Sequence, residues 1–147
     1  MSELARAVDR GQLSEWLDGY ERAWREPGTD ALVDLFTEDA TYSTAPYESQ
    51  HRGLAAIARM WEAERSGPGE DFSMPSEVVA VEGDTGVVRI EVLYGAPEEK
   101  RERLHRQRSE YRDLWIVRLN EEGLCFHFEE WPFWPPDQKV APAAGAE

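Results

Sequence analysis

The segment Tyr111 to Trp134, YRDLWIVRLNEEGLCFHFEEWPFW, constrains the chain most. It reads as two alternating strands joined by a short polar turn at Asn120–Gly123, a β-hairpin. Period-2 alternation places Tyr111, Asp113, Trp115 and Val117 on one face of the first strand and Arg112, Leu114, Ile116 and Arg118 on the other. With Glu121-Glu122 as a two-residue turn, Asn120 stands opposite Gly123. That register sets Trp115 against Phe128, Val117 against Phe126 and Asp113 against Glu130, with opposed Cβ atoms about 5 Å apart. Like charges opposed on a half-buried face destabilise a sheet. The two acids are then a functional carboxyl pair, a solvated rim, or a sign that the strands pair in another register; as a pair they could also be neutralised by Arg112, Arg118 or a loop arginine.

The rest of the composition narrows the partners. The formal charge of −14 repels a phosphate backbone and leaves no basic stripe, so neither nucleic acid nor an anionic membrane surface is expected to bind. Six Trp, five Tyr and five Phe either fill a core or line a pocket for a small apolar ligand. The single cysteine, Cys125, has no internal partner for a disulfide, and MSELARAVDRGQ is too charged for a signal peptide. No apolar run approaches the ~20 residues of a membrane span. These features together predict a cytoplasmic protein. A chain of 147 residues suits one domain.

From the N-terminus, residues 1–12 read as an extension, and residues 13–134 as the domain. Leu13, Trp16, Leu17, Tyr20, Ala23 and Trp24 recur at helical spacing up to Pro27-Gly28. Thr29 or Asp30 can cap a second short helix with Leu32, Leu35 and Phe36 as its stripe. Ala40–Thr44 reads as a strand, Tyr42–Tyr47 leads into a proline loop, and Leu54, Ile57, Ala58 and Trp61 mark a third helix that Ser66–Gly69 stops. Strand periodicity follows over Val78–Glu82 and Val87–Tyr94. Residues 96–110 form a charged loop, and the tail 135–147 has little to bury, so disorder is expected there. The order is that of an α+β domain with helices on one face of a curved antiparallel sheet.

Ala23-Trp24 in the first helix, LVDLFTEDATY, the proline loop, RGLAAIARMW and a last strand ending in EEWPFW together resemble the nuclear transport factor 2-like superfamily, in particular its SnoaL-like (polyketide-cyclase-like) branch. The resemblance implies a cystatin-like roll, in which a strongly bent antiparallel sheet forms a cone around three helices. It further implies a ligand cavity at one end and a homodimer through the sheet. The fold hosts isomerases, cyclases, dehydratases, epoxide hydrolases and non-catalytic proteins, so its function is argued from the site. Tyr20 matches a tyrosine of the ketosteroid-isomerase branch, but that branch's two aspartates fall at about Thr44 and near Trp115, where this chain has no carboxylate. Cyclases and limonene-epoxide-hydrolase-like enzymes place an aspartate seven residues after the last hairpin's glycine, here Glu130; the accompanying histidine of the cyclases, near Trp115 or Ile116, is missing.

Glu130 and Asp113 are thus the candidate acid/base residues, with Tyr20 as a neutral donor or, alternatively, a core residue. Two carboxyls close together in a dry site cannot both ionise cheaply. The candidate pocket comprises Trp16, Trp24, Phe36, Tyr42, His51, Trp61, Trp115 and Phe128; aromatic residues at helical and strand spacing are core first and pocket second. His51 is suited to proton transfer but could simply be solvated. His127 falls on the face turned away from the pocket, with Leu114, Ile116 and Trp131, where a dimer surface is expected. The three histidines are too scattered for a metal, and neither a metal nor another cofactor is expected.

Overall fold

The computed structural model describes residues 8–64, 72–94 and 110–135. Residues 96–109, 136–147 and 66–69, read above as a charged loop, a disordered tail and a helix stop, lie outside the described residues. Helix α1 spans Arg10–Arg25. It begins inside the segment read as an extension, because Asp9 and Gln12 form a capping box: the Asp9 carboxylate accepts from the Gln12 N–H at 2.8 Å and the Gln12 side chain accepts from the Asp9 N–H at 3.0 Å. Leu13, Trp16, Leu17, Tyr20 and Ala23 are its buried face. The expected second helix is a 3-10 helix, Asp30–Asp34, closed by bonds from Leu32 N to Thr29 O and from Leu35 N to Leu32 O. Thr29 does not cap it with its side chain. Five residues are too few to gain cooperative α-helical bonding, and Phe36 instead opens a strand. Among the described residues, two α-helices and one 3-10 helix therefore replace the expected three helices.

The strands are β1 (Phe36–Ser43), β2 (His51–Arg52), β3 (Phe72–Ser73), β4 (Ser76–Glu82), β5 (Thr85–Tyr94), β6 (Glu110–Leu119) and β7 (Cys125–Phe133), with helix α2 (Leu54–Glu64) after β2. Their order is β2-β1-β7-β6-β5-β3, and β4 also pairs with β5. β1 runs parallel to β7, so the sheet is mixed rather than wholly antiparallel. A parallel pair needs a long crossover, and α2 with the intervening strands supplies one.

The hairpin pairs in a different register from the expected one. Asn120 N donates to Leu124 O and Gly123 N to Asn120 O, while Gly123 takes φ 84°. This is a turn closed by a glycine bulge, held by Asn120 Oδ1, which accepts from both Glu122 N and Leu124 N. A second irregularity between Arg118 and Leu119 shifts the ladder again. Two one-residue shifts preserve which face each side chain occupies but move its partner. Val117 stands opposite Phe128, Trp115 opposite Glu130, and Asp113 opposite Pro132. Phe126 turns outward instead of facing Val117, and its ring lies 5.0 Å from the Arg118 guanidinium.

The concave face and the helices share one core in which Phe36, Tyr42, Ile57, Trp61, Val88, Ile90 and Phe128 are almost wholly buried. Gly86 lets α1 close on β5, since a Cβ there would lie 2.3 Å from Leu13 Cδ2. On the convex face Leu114, Trp131 and Phe133 keep large exposed areas. None of the described helices is long and apolar enough to cross a membrane.

Candidate active site

The concave alternation of β6 and β7 brings Asp113 and Glu130 to one side of the sheet, as diagonal rather than opposed neighbours. Asp113 is 2% exposed. Its cross-strand neighbours are Ile90 on β5 and Pro132 on β7, an apolar side chain and a residue with no N–H. Few donors therefore reach it. Trp115 Nε1 donates to Asp113 Oδ2 at 3.1 Å, and Oδ1 has no hydrogen-bond donor placed on it among the described residues. Glu130 is the group within hydrogen-bond reach of that carboxylate.

Glu130 is half-buried over its whole surface, yet its carboxyl is enclosed. Burial pushes that carboxyl well above the ordinary glutamate range; the Asp113 charge and the hydrogen bond to Asp113 push it further, and Glu64 at the end of α2 adds to them. Burial raises Asp113 as well, while hydrogen bonds from Glu130 and Trp115 hold it back. Both shifts favour a proton on the pair, and the bond between the two groups raises Glu130 while it lowers Asp113, as it does when Glu130 is the donor. Neither Arg112 nor Arg118 neutralises the pair. Arg112 lies 3.3 Å from Glu91, and Arg118 bonds Asp84 through both Nε and Nη2, holding Asp84 below its usual range.

Two phenols stand over the carboxyls. The Tyr20 and Tyr42 hydroxyls are 2.7 Å apart. Burial raises both well above the ordinary tyrosine range, and the Glu130 and Asp113 charges add to it in both. Either hydroxyl can be the donor of the bond between them, so one of the two keeps a proton to offer onward. Nothing in the sequence links two tyrosines that lie so far apart in the chain, and this partnership was not legible there.

The other pocket candidates converge as an aromatic cluster whose rings pack on one another. Phe128 stacks on Tyr42 at 4.3 Å and meets Trp115 edge-on at 4.8 Å. Tyr20 lies 4.6 Å from Trp115 and 5.1 Å from Trp61, and Trp24 lies 4.6 Å from Trp61. Trp16 touches Phe36 at 5.7 Å and donates from Nε1 to Leu35 O. His51 is half-buried on β2, directly across from Tyr42. A groove of about 500 Å³ lies apart from the carboxyls, between α1, the 3-10 segment and the hairpin turn, beside Glu15, Gly19, Asp34 and Gly123.

On the convex face His127 is not a bare surface residue. Its Nδ1 is 2.6 Å from Thr41 Oγ1 and its Nε2 2.9 Å from Glu129 Oε2, while Trp131 Nε1 donates to Glu129 Oε1. Hydrogen bonds from His127 and then Trp131 hold Glu129 below its usual range. Burial pushes the Cys125 thiol up to about 12, which leaves no thiolate to act as a nucleophile. Among the described residues no group of three or more His, Cys, Asp or Glu side chains is placed to hold a metal ion.

Comparison with known proteins follows the same lines. The profile of the SnoaL-like domain matches residues 6–127. No curated protein matches the chain. Among solved structures, the epoxide hydrolase/cyclase-like enzyme SalBIII, studied for pyran ring formation in the polyether salinomycin, is 18% identical with a TM-score of 0.62, over 88% of this chain and 95% of that one. A proposed isomerase of the SnoaL-like family from Agrobacterium tumefaciens is 20% identical with a TM-score of 0.61, over 83% and 97% of the two chains. A proposed SnoaL-like polyketide cyclase from Jannaschia is 16% identical with a TM-score of 0.62, over 85% and 90%. At these identities the likeness is one of fold.

Proposed function

The chain belongs to the SnoaL-like domain family, and from that premise we propose that it is an acid/base catalyst, free of cofactors, that opens or closes a ring at an oxygen of a small apolar metabolite. One observation carries the reading: the Asp113 and Glu130 carboxyls are enclosed within hydrogen-bond reach of each other, and the described arginines of β6, Arg112 and Arg118, are bonded to Glu91 and Asp84 instead. For an epoxide, Glu130 gives its proton to the ring oxygen as the C–O bond breaks. Water, or a hydroxyl of the substrate itself, attacks the carbon and yields its proton to Asp113. The product is a diol or a cyclic ether, and the proton returns from Asp113 to Glu130 along their hydrogen bond. The Tyr20–Tyr42 pair, with hydroxyls 2.7 Å apart, supplies a second, neutral donor for the same oxygen.

Styrene oxide is a suitable first probe. The expected result is diol formation that Glu130→Gln and Asp113→Asn each slow by about 10²–10⁴-fold. Turnover unaffected by both changes would assign the pair a structural role. A second reading, a non-catalytic accessory protein of the same fold, is favoured by the aromatic rings filling one another's space, and absence of turnover on a broad epoxide panel supports it.

The convex face supports a partner proposal. Leu114, Trp131 and Phe133 are 38%, 40% and 55% exposed around the ordered His127–Glu129 pair, and a second copy of the chain would cover them. Sedimentation equilibrium is expected to give twice the chain mass; a species of 16.8 kDa at micromolar concentration contradicts it.

A further inference from the structure

Between Phe36 and Thr41 the β1–β7 ladder slips: five steps along β1 match two along β7, which sets Thr41 beside His127 and Ser43 beside Glu129. Alternation turns Thr41, His127, Glu129 and Trp131 to the convex face, away from the carboxyl pair. There they form a chain of hydrogen bonds drawn from two strands. Thr41 Oγ1 is 2.6 Å from His127 Nδ1, His127 Nε2 is 2.9 Å from Glu129 Oε2, and Trp131 Nε1 donates to Glu129 Oε1 at 3.0 Å. The carboxylate sets the directions of these bonds. Glu129, kept ionised by its two donors, only accepts, so Nε2 carries the imidazole proton and Nδ1 of the neutral ring accepts from the Thr41 hydroxyl. Thr41 is half-buried, and the His127 and Glu129 side chains are 21% and 30% exposed, so the hydroxyl is reachable while the bonds behind it are shielded. Arg52, which is exposed, stands directly across from Thr41 on β2 and shares its face.

We propose that Thr41, His127 and Glu129 form a second catalytic site, in which Thr41 is the nucleophile that accepts the acyl group of an activated carboxylic ester. A hydroxyl is a weak nucleophile until a base takes its proton, and the base acts best when a third group fixes its ring; these three side chains supply those parts in that order. Thr41 Oγ1 attacks the ester carbonyl carbon as its proton passes to His127 Nδ1. The imidazolium that forms is stabilised by the Glu129 carboxylate, which Trp131 holds in place. When the bond to the leaving group breaks, the alcohol departs with that proton and an acyl ester remains on Thr41. Water, deprotonated by the same imidazole, then releases the carboxylic acid and restores the hydroxyl. The Arg52 charge, across from Thr41, favours the oxyanion that each attack creates. Glu129 and Trp131 are positioning residues. The site is independent of Asp113 and Glu130, which lie on the other side of the sheet. Thr41 also lies off the apolar patch of Leu114, Trp131 and Phe133: Trp131 is about 14 Å along β7 from His127, and Thr41 is one strand further over.

Treatment of the full-length chain with diisopropyl fluorophosphate, which modifies activated hydroxyls, followed by peptide mass mapping, tests the site without any substitution. An adduct on Thr41 is expected. Turnover is read with p-nitrophenyl acetate. Thr41→Val, which keeps the branched shape, and His127→Gln are each expected to slow it by about 10²-fold or more, whereas Thr41→Ser, which keeps a hydroxyl, retains the adduct and stays within about tenfold of the native rate. Glu129→Gln is expected to lower kcat while KM stays within about twofold, because Glu129 acts through the base and touches no ester. The proposal is overturned if Thr41 carries no adduct, or if Thr41→Val hydrolyses the ester as fast as the native chain. The adduct map needs no variant, so a misfolded substitution does not blur the outcome.

Discussion

Glu130→Gln is expected to make the folded protein more stable near neutral pH while removing about 10²–10⁴-fold of any ring-opening activity. Glutamine keeps the shape of the side chain and cannot ionise. In the native protein burial, followed by the Asp113 charge, holds the Glu130 proton well above the ordinary range. A carboxyl whose folded pKa lies above its unfolded value makes folding take up a proton. Its contribution to stability is fully present below the unfolded pKa of about 4.3 and is lost as pH rises toward the folded pKa. The native protein should therefore melt at progressively lower temperature across that window, and the variant should show a shallower decline. Some slope remains, because Asp113 is raised as well. A variant that melts lower than the native protein at neutral pH would mean that the carboxylate is held by a positive partner, contrary to the geometry.

Phe128→Ala carries the largest expected structural penalty. Phe128 is fully buried and its ring contacts Tyr42, Trp115, Tyr20 and Trp16 at centroid distances of 4.3, 4.8, 5.8 and 6.1 Å. Truncating such a ring costs about 3–5 kcal/mol, the transfer energy plus the cavity left behind. At about 2–4 °C per kcal/mol for a domain of this size, the melting temperature should fall by roughly 6–20 °C. Phe126→Ala, outside the core and beside Arg118, is expected to cost under about 1 kcal/mol. The comparison tests the register of the hairpin. Under the simple two-residue turn Phe126 would face inward together with Phe128, and a loss at Phe126 of about 3–5 kcal/mol, matching that at Phe128, would restore that register.

Those two phenylalanines also mark how far the sequence could be read. Alternation correctly placed Asp113, Trp115, Phe128 and Glu130 on one face, because side-chain facing depends only on the parity of the register, and two one-residue bulges leave parity unchanged. The partners were not legible. Asn120 as an acceptor for two backbone N–H groups and Gly123 at positive φ close a longer turn than Glu121-Glu122 alone suggests. Helix α1 was placed from apolar spacing, which starts at Leu13, although the Asp9 and Gln12 spacing already carried the capping signal. The parallel β1–β7 pairing and the Tyr20–Tyr42 contact depend on tertiary approach, for which local patterning holds no record. The same is true of His127, whose place on the convex face was legible but whose bonds to Thr41 and Glu129 were not.

The central claim is that the Asp113–Glu130 pair retains a proton inside a neutral solution. Infrared difference spectroscopy between the native protein and Glu130→Gln at neutral pH measures it directly, since a protonated carboxyl has a carbonyl stretch separate from that of a carboxylate. The expected result is one protonated-carboxyl band in the native protein that the variant lacks and that disappears only on titration well above the ordinary carboxylate range. A native spectrum with carboxylate bands alone at neutral pH would contradict it.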